Sequence, residues 1–249
     1  MQGKLNQLLI NWQKGTIRTS ASLRLEGYSD DLLSKYKKSK WLESFGNGAY
    51  KLYGDRIEWY GALFALQREL NSTIHVAGKS ALQLKGLAHN ISNDFRKLNL
   101  FHNDNKYLPK WFRDHKWDVE LVVTKTGKFG NYKKPFLSDI ILNGISIKVS
   151  SPELAIMEML FKVPETESYN EANLIMEGLL TLRPKIISEI LLECKSVKLK
   201  RLFMHLAERH NHSWLKRLNL SKVDFGKGKR QIVPNGMLDP KYQITVPRG

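Results

Sequence analysis

The chain has 249 residues, of which 42% are hydrophobic, and its 40 Lys and Arg against 24 Asp and Glu give a net charge of +16. This size and apolar content exclude a disordered chain and allow one large domain or two modest ones. The single cysteine, Cys194, excludes an internal disulfide and a cysteine-based zinc cluster within one chain, while the positive charge favours a polyanionic partner such as DNA, RNA or an anionic membrane.

An amphipathic helix is predicted near the start of the chain, where four large apolar residues fall at i, i+3, i+4 and i+7. They are Leu5, Leu8, Leu9 and Trp12. The pair Lys14-Gly15 ends this helix, which we expect to pack beneath the elements that follow.

A helix-turn-helix is predicted next. Thr19 can accept a backbone N–H as the cap of a short helix, and Gly27 can take the left-handed turn after it. Ser29 can cap a second helix, with Asp30 and Asp31 in the first turn, where the helix dipole favours negative charge. The two helices are one sharp turn apart, as a helix-turn-helix requires.

A β-hairpin is predicted after the second helix. Its strands are Lys40-Trp41-Leu42 and Ala49 to Leu52, joined across residues 45–48, where Asn47-Gly48 suits the positive φ angles of a hairpin turn. This hairpin would be the wing of a winged helix-turn-helix, a module that either binds DNA or serves only as a small packing unit with solvated lysines. The crowding of lysines on it favours DNA.

The predicted DNA contacts divide into two groups. We expect Asp31, Ser34 and Lys35 to face base edges, and Lys38, Lys40 and Lys51 to meet phosphates. The full predicted DNA-binding set is Asp31, Ser34, Lys35, Lys37, Lys38, Lys40, Asn47 and Lys51.

A domain boundary is predicted near a strongly helical run over residues 58–70. The predicted organisation is a winged helix-turn-helix over 1–54, a connecting helix over 55–70 and a C-terminal domain over 71–249. The predicted fold class is α+β, in which the winged helix precedes a larger mixed α/β domain with a small sheet and a helical second half. Asn143-Gly144, between two strand-like runs, is the strongest hairpin signal in the chain.

A second concentration of positive charge lies between residues 195 and 230, where Lys and Arg far outnumber Glu208 and Asp224. It is either a solvated helix face or a contact with DNA backbone or an RNA-handling partner. The predicted accessory basic surface consists of Lys195, Lys198, Arg201, Arg209, Lys216 and Arg217.

Motifs for catalysis are weak. Glu193-Cys194-Lys195 matches the E-x-K fragment of a metal-dependent nuclease, but it lies in a helical run without a proline-aspartate pair on a preceding strand. Gly78-Lys79-Ser80 resembles the end of a phosphate-binding loop, but threonine occupies position 73, where that loop needs its first glycine. We therefore predict no catalytic residue and no enzyme activity.

Neither a metal, a cofactor nor a membrane is expected. His205, His210 and His212 lack an acidic or cysteine ligand at suitable helical spacing. No apolar run reaches the roughly 20 residues of a membrane span, and residues 1–15 are too polar for a secretory signal. A cytoplasmic location is the resulting expectation.

Six stretches in order together resemble the AbiE-type abortive-infection antitoxins of bacterial type IV toxin–antitoxin systems. They are residues 27–52, 59–70, 75–89, 167–184, 195–220 and 228–247. The resemblance covers nearly the whole chain, although none of the six stretches is a catalytic signature.

The resemblance implies a winged helix that represses its own operon at inverted repeats in double-stranded DNA, and a C-terminal domain that neutralises a separately encoded nucleotidyltransferase toxin without a stable complex. Only the helix over residues 29–39 and the wing around Asn47 carry over to DNA contact, and the basic face over 195–217 is the candidate for antitoxin activity. Two alternatives remain open. One is a transcription regulator whose second domain senses a small molecule, and the other is a nucleic-acid enzyme that uses the E-x-K fragment.

Overall fold

Two compact units make up this α+β protein, for which we use a computed structural model that describes residues 3–88, 96–105, 107–132 and 134–248. The N-terminal unit is drawn from Met1–His75, Asp104–Leu121 and Asp139–Lys148. The C-terminal unit is drawn from Val76–Asn103, Val122–Ser138 and Val149–Gly249. The predicted boundaries at residues 54 and 70 follow chain order, whereas each unit combines three separate segments.

The first elements of the N-terminal unit form a winged helix-turn-helix, which confirms the predicted fold class. They are α1 (Lys4–Asn11), β1 (Arg18–Thr19), α2 (Ser20–Leu25), α3 (Asp30–Lys38), β2 (Leu42–Gly46) and β3 (Ala49–Leu52). The three strands form an antiparallel sheet in the order β1-β3-β2. The helix-turn-helix is therefore α2 and α3, and the wing is β2 and β3.

Side-chain caps set the ends of both helices as predicted. The Thr19 hydroxyl accepts the Ser22 N–H at 3.2 Å, and the Ser29 hydroxyl accepts the Leu32 N–H at 3.3 Å. Gly27, between the two helices, has a φ of +87°, which a glycine adopts without steric cost. The sharp turn between α2 and α3 thus follows from local residue chemistry.

The start of the wing differs from the prediction. Lys40 has a φ of +57° and the Trp41 N–H bonds to the Tyr36 carbonyl at 2.9 Å, so these residues close the end of α3. The strand prediction for Lys40 and Trp41 is therefore wrong, because β2 begins at Leu42. The positive φ angles of the wing turn lie at Gly46 and Gly48, at +153° and +74°, so the expectation of a positive φ at Asn47 is also wrong.

A single apolar core holds the winged helix together. Leu33 and Tyr36 of α3 enter it from one side, and the leucines of α1 enter it from another. Its buried members are Leu8, Trp12, Leu23, Tyr28, Leu33, Tyr36, Leu42 and Leu52. Burial of such side chains contributes about 1.5–3 kcal/mol each, so this core fixes which face of α3 remains open.

The remaining elements begin with the predicted connecting helix. They are α4 (Trp59–Glu69), β4 (His75–Val76), α5 (Gly78–Leu84), β5 (Lys97–His102), α6 (Lys110–Arg113), β6 (Glu120–Lys125), η1 (Lys134–Phe136), β7 (Leu137–Leu142), β8 (Ile145–Ser150), α7 (Pro152–Phe161), α8 (Tyr169–Gly178), α9 (Pro184–Glu193), α10 (Val197–Arg209), η2 (Ser213–Arg217), β9 (Arg230–Gln231), β10 (Met237–Asp239) and β11 (Ile244–Val246).

Two further sheets are present among the described residues. One has the order β6-β5-β4-β8-β7 and includes a parallel pair, Val76 opposite Val149. The turn between β7 and β8 has φ angles of +47° at Asn143 and +80° at Gly144, which confirms the predicted hairpin. The other sheet has the order β10-β11-β9. No helix of the described ranges is long and apolar enough to cross a membrane.

A buried carboxylate ties α7 to α9 in the C-terminal unit. Glu153 is 2% exposed and accepts the Arg183 Nε at 2.9 Å, its Nη2 at 2.8 Å and its backbone N–H at 2.8 Å. Burial raises the pKa of Glu153, but the hydrogen bonds and the charge of Arg183 outweigh burial and lower this pKa below its usual value.

This pair predicts an acid-sensitive contribution to stability. Because the pKa of Glu153 is lowered on folding, its contribution is present above about pH 4.5 and is lost as the pH falls through the lowered value. Arg183→Met leaves a buried carboxylate without its partner, so we expect it to lower the free energy of unfolding at pH 7 by about 3 kcal/mol. Urea unfolding between pH 3 and pH 7 measures both effects.

The matched control is Lys185→Met, which removes an exposed cation two residues from Arg183, in the first turn of α9. It should leave the pH dependence of stability unchanged. Equal losses in the two variants at pH 7 would contradict this account of the buried pair.

Candidate nucleic-acid interface

The exposed face of α3 carries most of the predicted DNA contacts. Leu33 and Tyr36 point into the core, and burial raises the pKa of the Tyr36 phenol. The opposite face presents the exposed residues Asp31, Lys35 and Lys38 together with the half-buried Ser34. Lys37 is also exposed, but it lies at the edge of the buried face, about 40° from Leu33 around the helix axis. The structure therefore brings five of the eight predicted residues onto one helix.

Arg24, which is not among the predicted DNA contacts, lies next to the start of α3. The Arg24 Nε of α2 contacts the Asp30 carboxylate of α3 at 2.9 Å, and both side chains are more than half exposed. The pair partly offsets the acidic start of α3, which would otherwise repel phosphates. The sequence signal that could have identified Arg24 was its position in the last turn of the first helix of the helix-turn-helix.

Aromatic rings accompany two of the lysines. The Lys37 ammonium lies 5.8 Å from the centre of the Tyr50 ring, and the Lys40 ammonium lies 5.9 Å from that of Tyr53. Lys40 is exposed, and Trp41 next to it is 45% exposed. These contacts hold the two ammonium groups near the base of the wing without neutralising their charge.

Lys51 is placed differently from the other predicted lysines. Its ammonium pairs with Glu43 and also donates to the Asp55 carbonyl oxygen, and its side chain is only 17% exposed. The cross-strand pair lies within the wing, where Glu43 faces Lys51 in the register of β2 and β3. A contact between Lys51 and phosphate remains a prediction, but it would compete with these existing partners.

A β-bulge shapes the wing tip. Ser44 pairs with Tyr50 and Gly46 with Ala49, so Phe45 is the extra residue on β2. Asn47, the predicted contact at the tip, is exposed.

The Phe45 ring packs on a segment that lies far away in sequence. Its centre is 4.7 Å from that of His115 and 6.0 Å from that of Trp117. A Cβ placed on Gly46 would lie 2.7 Å from the Trp111 Cβ, so the wing and α6 are in close contact. The alternation of aromatic and basic residues in KWFRDHKW, residues 110–117, was a signal that could have identified this segment.

Of the six residues predicted to form the accessory basic surface of the C-terminal unit, four are exposed and one is half-buried. The exposed residues are Lys195, Arg209, Lys216 and Arg217, and Lys198 is half-buried. Arg201 was expected on the same surface, and this expectation is wrong because Arg201 is only 4% exposed.

Arg201 is instead the centre of a buried hydrogen-bond network. Its guanidinium donates to the carbonyl oxygens of Phe225 at 2.7 Å, Gly228 at 2.6 Å and Gly226 at 2.9 Å. The planar group with its fork of donors matches a loop whose carbonyls converge. Arg201 thus anchors the loop over 225–228 to α10.

The three histidines considered as metal ligands all have other partners. His205 lies between the Tyr169 hydroxyl at 2.9 Å and the Asp239 carboxylate at 2.5 Å. Burial raises the pKa of Tyr169. His210 contacts the Asn173 side-chain oxygen at 3.0 Å, and His212 contacts a backbone carbonyl at 2.8 Å. Over the described parts of the chain, no group of His, Cys, Asp and Glu could hold a metal ion.

The residues of the two weak catalytic motifs take part in structural contacts. Gly78 begins α5, and its N–H bonds to the buried Glu158 carboxylate at 3.0 Å. Ser80 is fully buried and accepts the Asn99 N–H at 2.9 Å. Glu193 is the last residue of α9.

Two models of the same protein family match successive parts of this chain. Residues 1–93 match the family model described as transcriptional regulator, AbiEi antitoxin N-terminal domain, and residues 96–247 match transcriptional regulator, AbiEi antitoxin, type IV TA system. A search of curated protein sequences gave no match. The crystal structure of the RV2827C protein from Mycobacterium tuberculosis is similar in fold, with a TM-score of 0.62 and 15% identity over 96% of this chain and 88% of that one.

The buried position of Arg201 generates a prediction about stability. Arg201→Met should lower the free energy of unfolding by about 3 kcal/mol, because it removes several charge-assisted hydrogen bonds to buried carbonyls. Lys195→Met removes the same charge from an exposed side chain and should change stability by less than about 0.5 kcal/mol. Chemical denaturation of both variants tests this, and similar stabilities would show that the network around Arg201 contributes little.

Proposed function

This chain belongs to the AbiEi antitoxin family of type IV toxin–antitoxin transcriptional regulators, and we propose that it represses its own operon and neutralises a nucleotidyltransferase toxin. The observation that carries the proposal is the match of both family models, which together span residues 1–93 and 96–247. In this proposal the protein acts in the cytoplasm, requires no cofactor and is not an enzyme.

The DNA-binding half of the proposal is supported by the geometry of α3. The core orients its lysine face outward, and the wing follows it directly. With α3 in the major groove, Asp31, Ser34 and Lys35 read base edges, and Lys38 and Lys40 contact phosphates. Lys37, Asn47 and Lys51 complete the contact set, with Arg24 as an addition. The operator is an inverted repeat in double-stranded DNA.

The antitoxin half of the proposal involves the accessory basic surface without Arg201. Its exposed charges lie at the two ends of α10, at Lys195 just before the helix and at Arg209, its last residue, and continue at η2. The helix itself is about 20 Å long. A surface of this kind interacts with polyanions or acidic protein faces through salt-sensitive contacts. Neutralisation of the toxin then needs no deep interface and no stable complex.

Operator binding is the direct test of the first half. The purified chain should prefer its own upstream duplex over a scrambled duplex, and the double variant Lys35→Ala with Lys38→Ala should reduce this preference. Lys38→Ala alone should weaken binding to all sequences alike and lower the salt slope of log K by about 0.9, because it removes one phosphate contact. Fluorescence anisotropy at two salt concentrations measures these changes.

The control for operator binding is the double variant Lys227→Ala with Lys229→Ala, which removes two exposed charges from the C-terminal unit. It should retain the preference for the operator. Equal, steeply salt-dependent binding to both duplexes by the unmodified chain would mean that its charge acts without sequence specificity, and autoregulation would be wrong.

Toxin rescue is the test of the second half. When the chain is co-expressed with the nucleotidyltransferase toxin of its operon, we expect growth to be restored. Changing Lys195, Arg209, Lys216 and Arg217 to Gln should abolish rescue while operator binding persists. The control changes Lys185, Lys222, Lys227 and Lys229 to Gln. Full rescue by the first variant, or equal loss in both, would contradict a role for this surface.

A further inference from the structure

The wing has a neighbour that the winged-helix pattern does not contain. Residues 110–118, here called the flanking segment, comprise α6 and the turn after it, and they belong to the N-terminal unit together with the wing. We propose that the flanking segment is a second DNA-contacting element, which binds phosphates beside the groove that the wing enters. The inference rests on the proposed DNA binding by α3 and the wing.

The flanking segment is held firmly in place. Trp111 and Phe112 are 7% and 1% exposed, and the Trp117 indole N–H donates to the Phe112 carbonyl at 2.9 Å. Gly46 of the wing lies so close to Trp111 that no side chain fits between them. Because the segment is already ordered, little conformational entropy is lost when its exposed side chains bind a ligand.

A row of rings positions the basic residues of the flanking segment next to the wing. His115 is exposed and packs 4.7 Å from Phe45 and 4.3 Å from Trp117, measured between ring centres. Phe45 and Lys116 line the same cleft of about 240 Å³. Asn47 at the wing tip is two residues from Phe45, so the two residues lie at most about 7 Å apart along the chain. The cleft therefore lies beside the wing tip.

The charge pattern of the segment fits a polyanion. Asp114 contacts Arg113 at 2.8 Å, and this hydrogen bond lowers the pKa of Asp114. Asp118 contacts Arg56 at 2.6 Å. Both acids are thus paired with arginines, while Lys110 and Lys116 are exposed and form no ion pair with any residue that the structure describes.

Double-stranded DNA is the polyanion that this position favours. It carries one charge per about 1.7 Å of helix axis, so a duplex bound at the wing places several phosphates within reach of an adjacent basic segment. Such contacts strengthen binding and fix its register without reading sequence. The flanking segment would thereby widen the footprint of the wing beyond the base pairs that α3 reads.

The test uses the full chain and the double variant Lys110→Gln with Lys116→Gln. On the operator duplex, the variant should bind roughly tenfold or more weakly at 0.1 M salt, with a salt slope lower by about 1.8, since two phosphate contacts are removed. The same factor should appear on a scrambled duplex. On an operator trimmed to the bases that α3 and the wing cover, the variant and the unmodified chain should bind alike.

Two controls separate the inference from the proposed function. The double variant Lys227→Gln with Lys229→Gln removes the same charge from the C-terminal unit and should bind the operator normally, and thermal unfolding shows whether each variant is folded. If Lys35→Ala with Lys38→Ala weakens binding but the Lys110 and Lys116 variant matches the control, the flanking segment is not a DNA contact. If neither changes binding, DNA recognition by the winged helix itself is wrong.

Discussion

The burial of one face of α3 is the constraint on which the candidate interface depends. Leu33 and Tyr36 enter the core shared by α1, α2 and the wing strands, and this contact allows only one rotation of the helix about its axis. The lysines on the other face then point to solvent because of where the leucine and the tyrosine lie. A loosened core would allow α3 to rotate about its axis, and its charged side chains would then no longer point in one fixed direction.

Positive charge has at least two uses in this protein. Arg201 donates hydrogen bonds to the carbonyl oxygens of a loop, Arg183 pairs with the buried Glu153, and Lys51 pairs with Glu43. These three cations therefore stabilise the fold. Lys35, Lys37 and Lys38 of α3 and Lys195 and Lys216 of the accessory basic surface are exposed, and none has a buried acidic partner among the described residues. A net charge of +16 therefore overstates the charge that is available for binding.

Local signals made the helix-turn-helix and the β7–β8 hairpin predictable. The caps at Thr19 and Ser29, the glycine turn at Gly27 and the Asn143-Gly144 hairpin are each determined by residues within a few positions, so the sequence alone indicated them. The burial of Arg201 could not be predicted, because it depends on carbonyls 24 to 27 residues later in the chain.

The same limit applies to the packing at the wing. Gly46 and Trp111 are in contact although they lie 65 positions apart in the sequence, so no local pattern predicts this contact. At Lys40, a local helix-ending motif prevailed over a strand-like composition. Sequence patterns thus located the helices and the β7–β8 turn. They failed at both ends of β2, and where a side chain meets a distant part of the backbone.

The assembly of the N-terminal unit from three segments has a consequence for biosynthesis. The ribosome completes β3 at Leu52 and reaches Asp118 only 66 residues later, which takes about 3 to 13 seconds at typical bacterial elongation rates. During that interval the contacts of Phe45 with His115 and Trp117, and of Gly46 with Trp111, cannot form. A nascent chain therefore carries a wing without these contacts, and a message truncated before codon 110 would encode a chain whose wing never packs on Trp111.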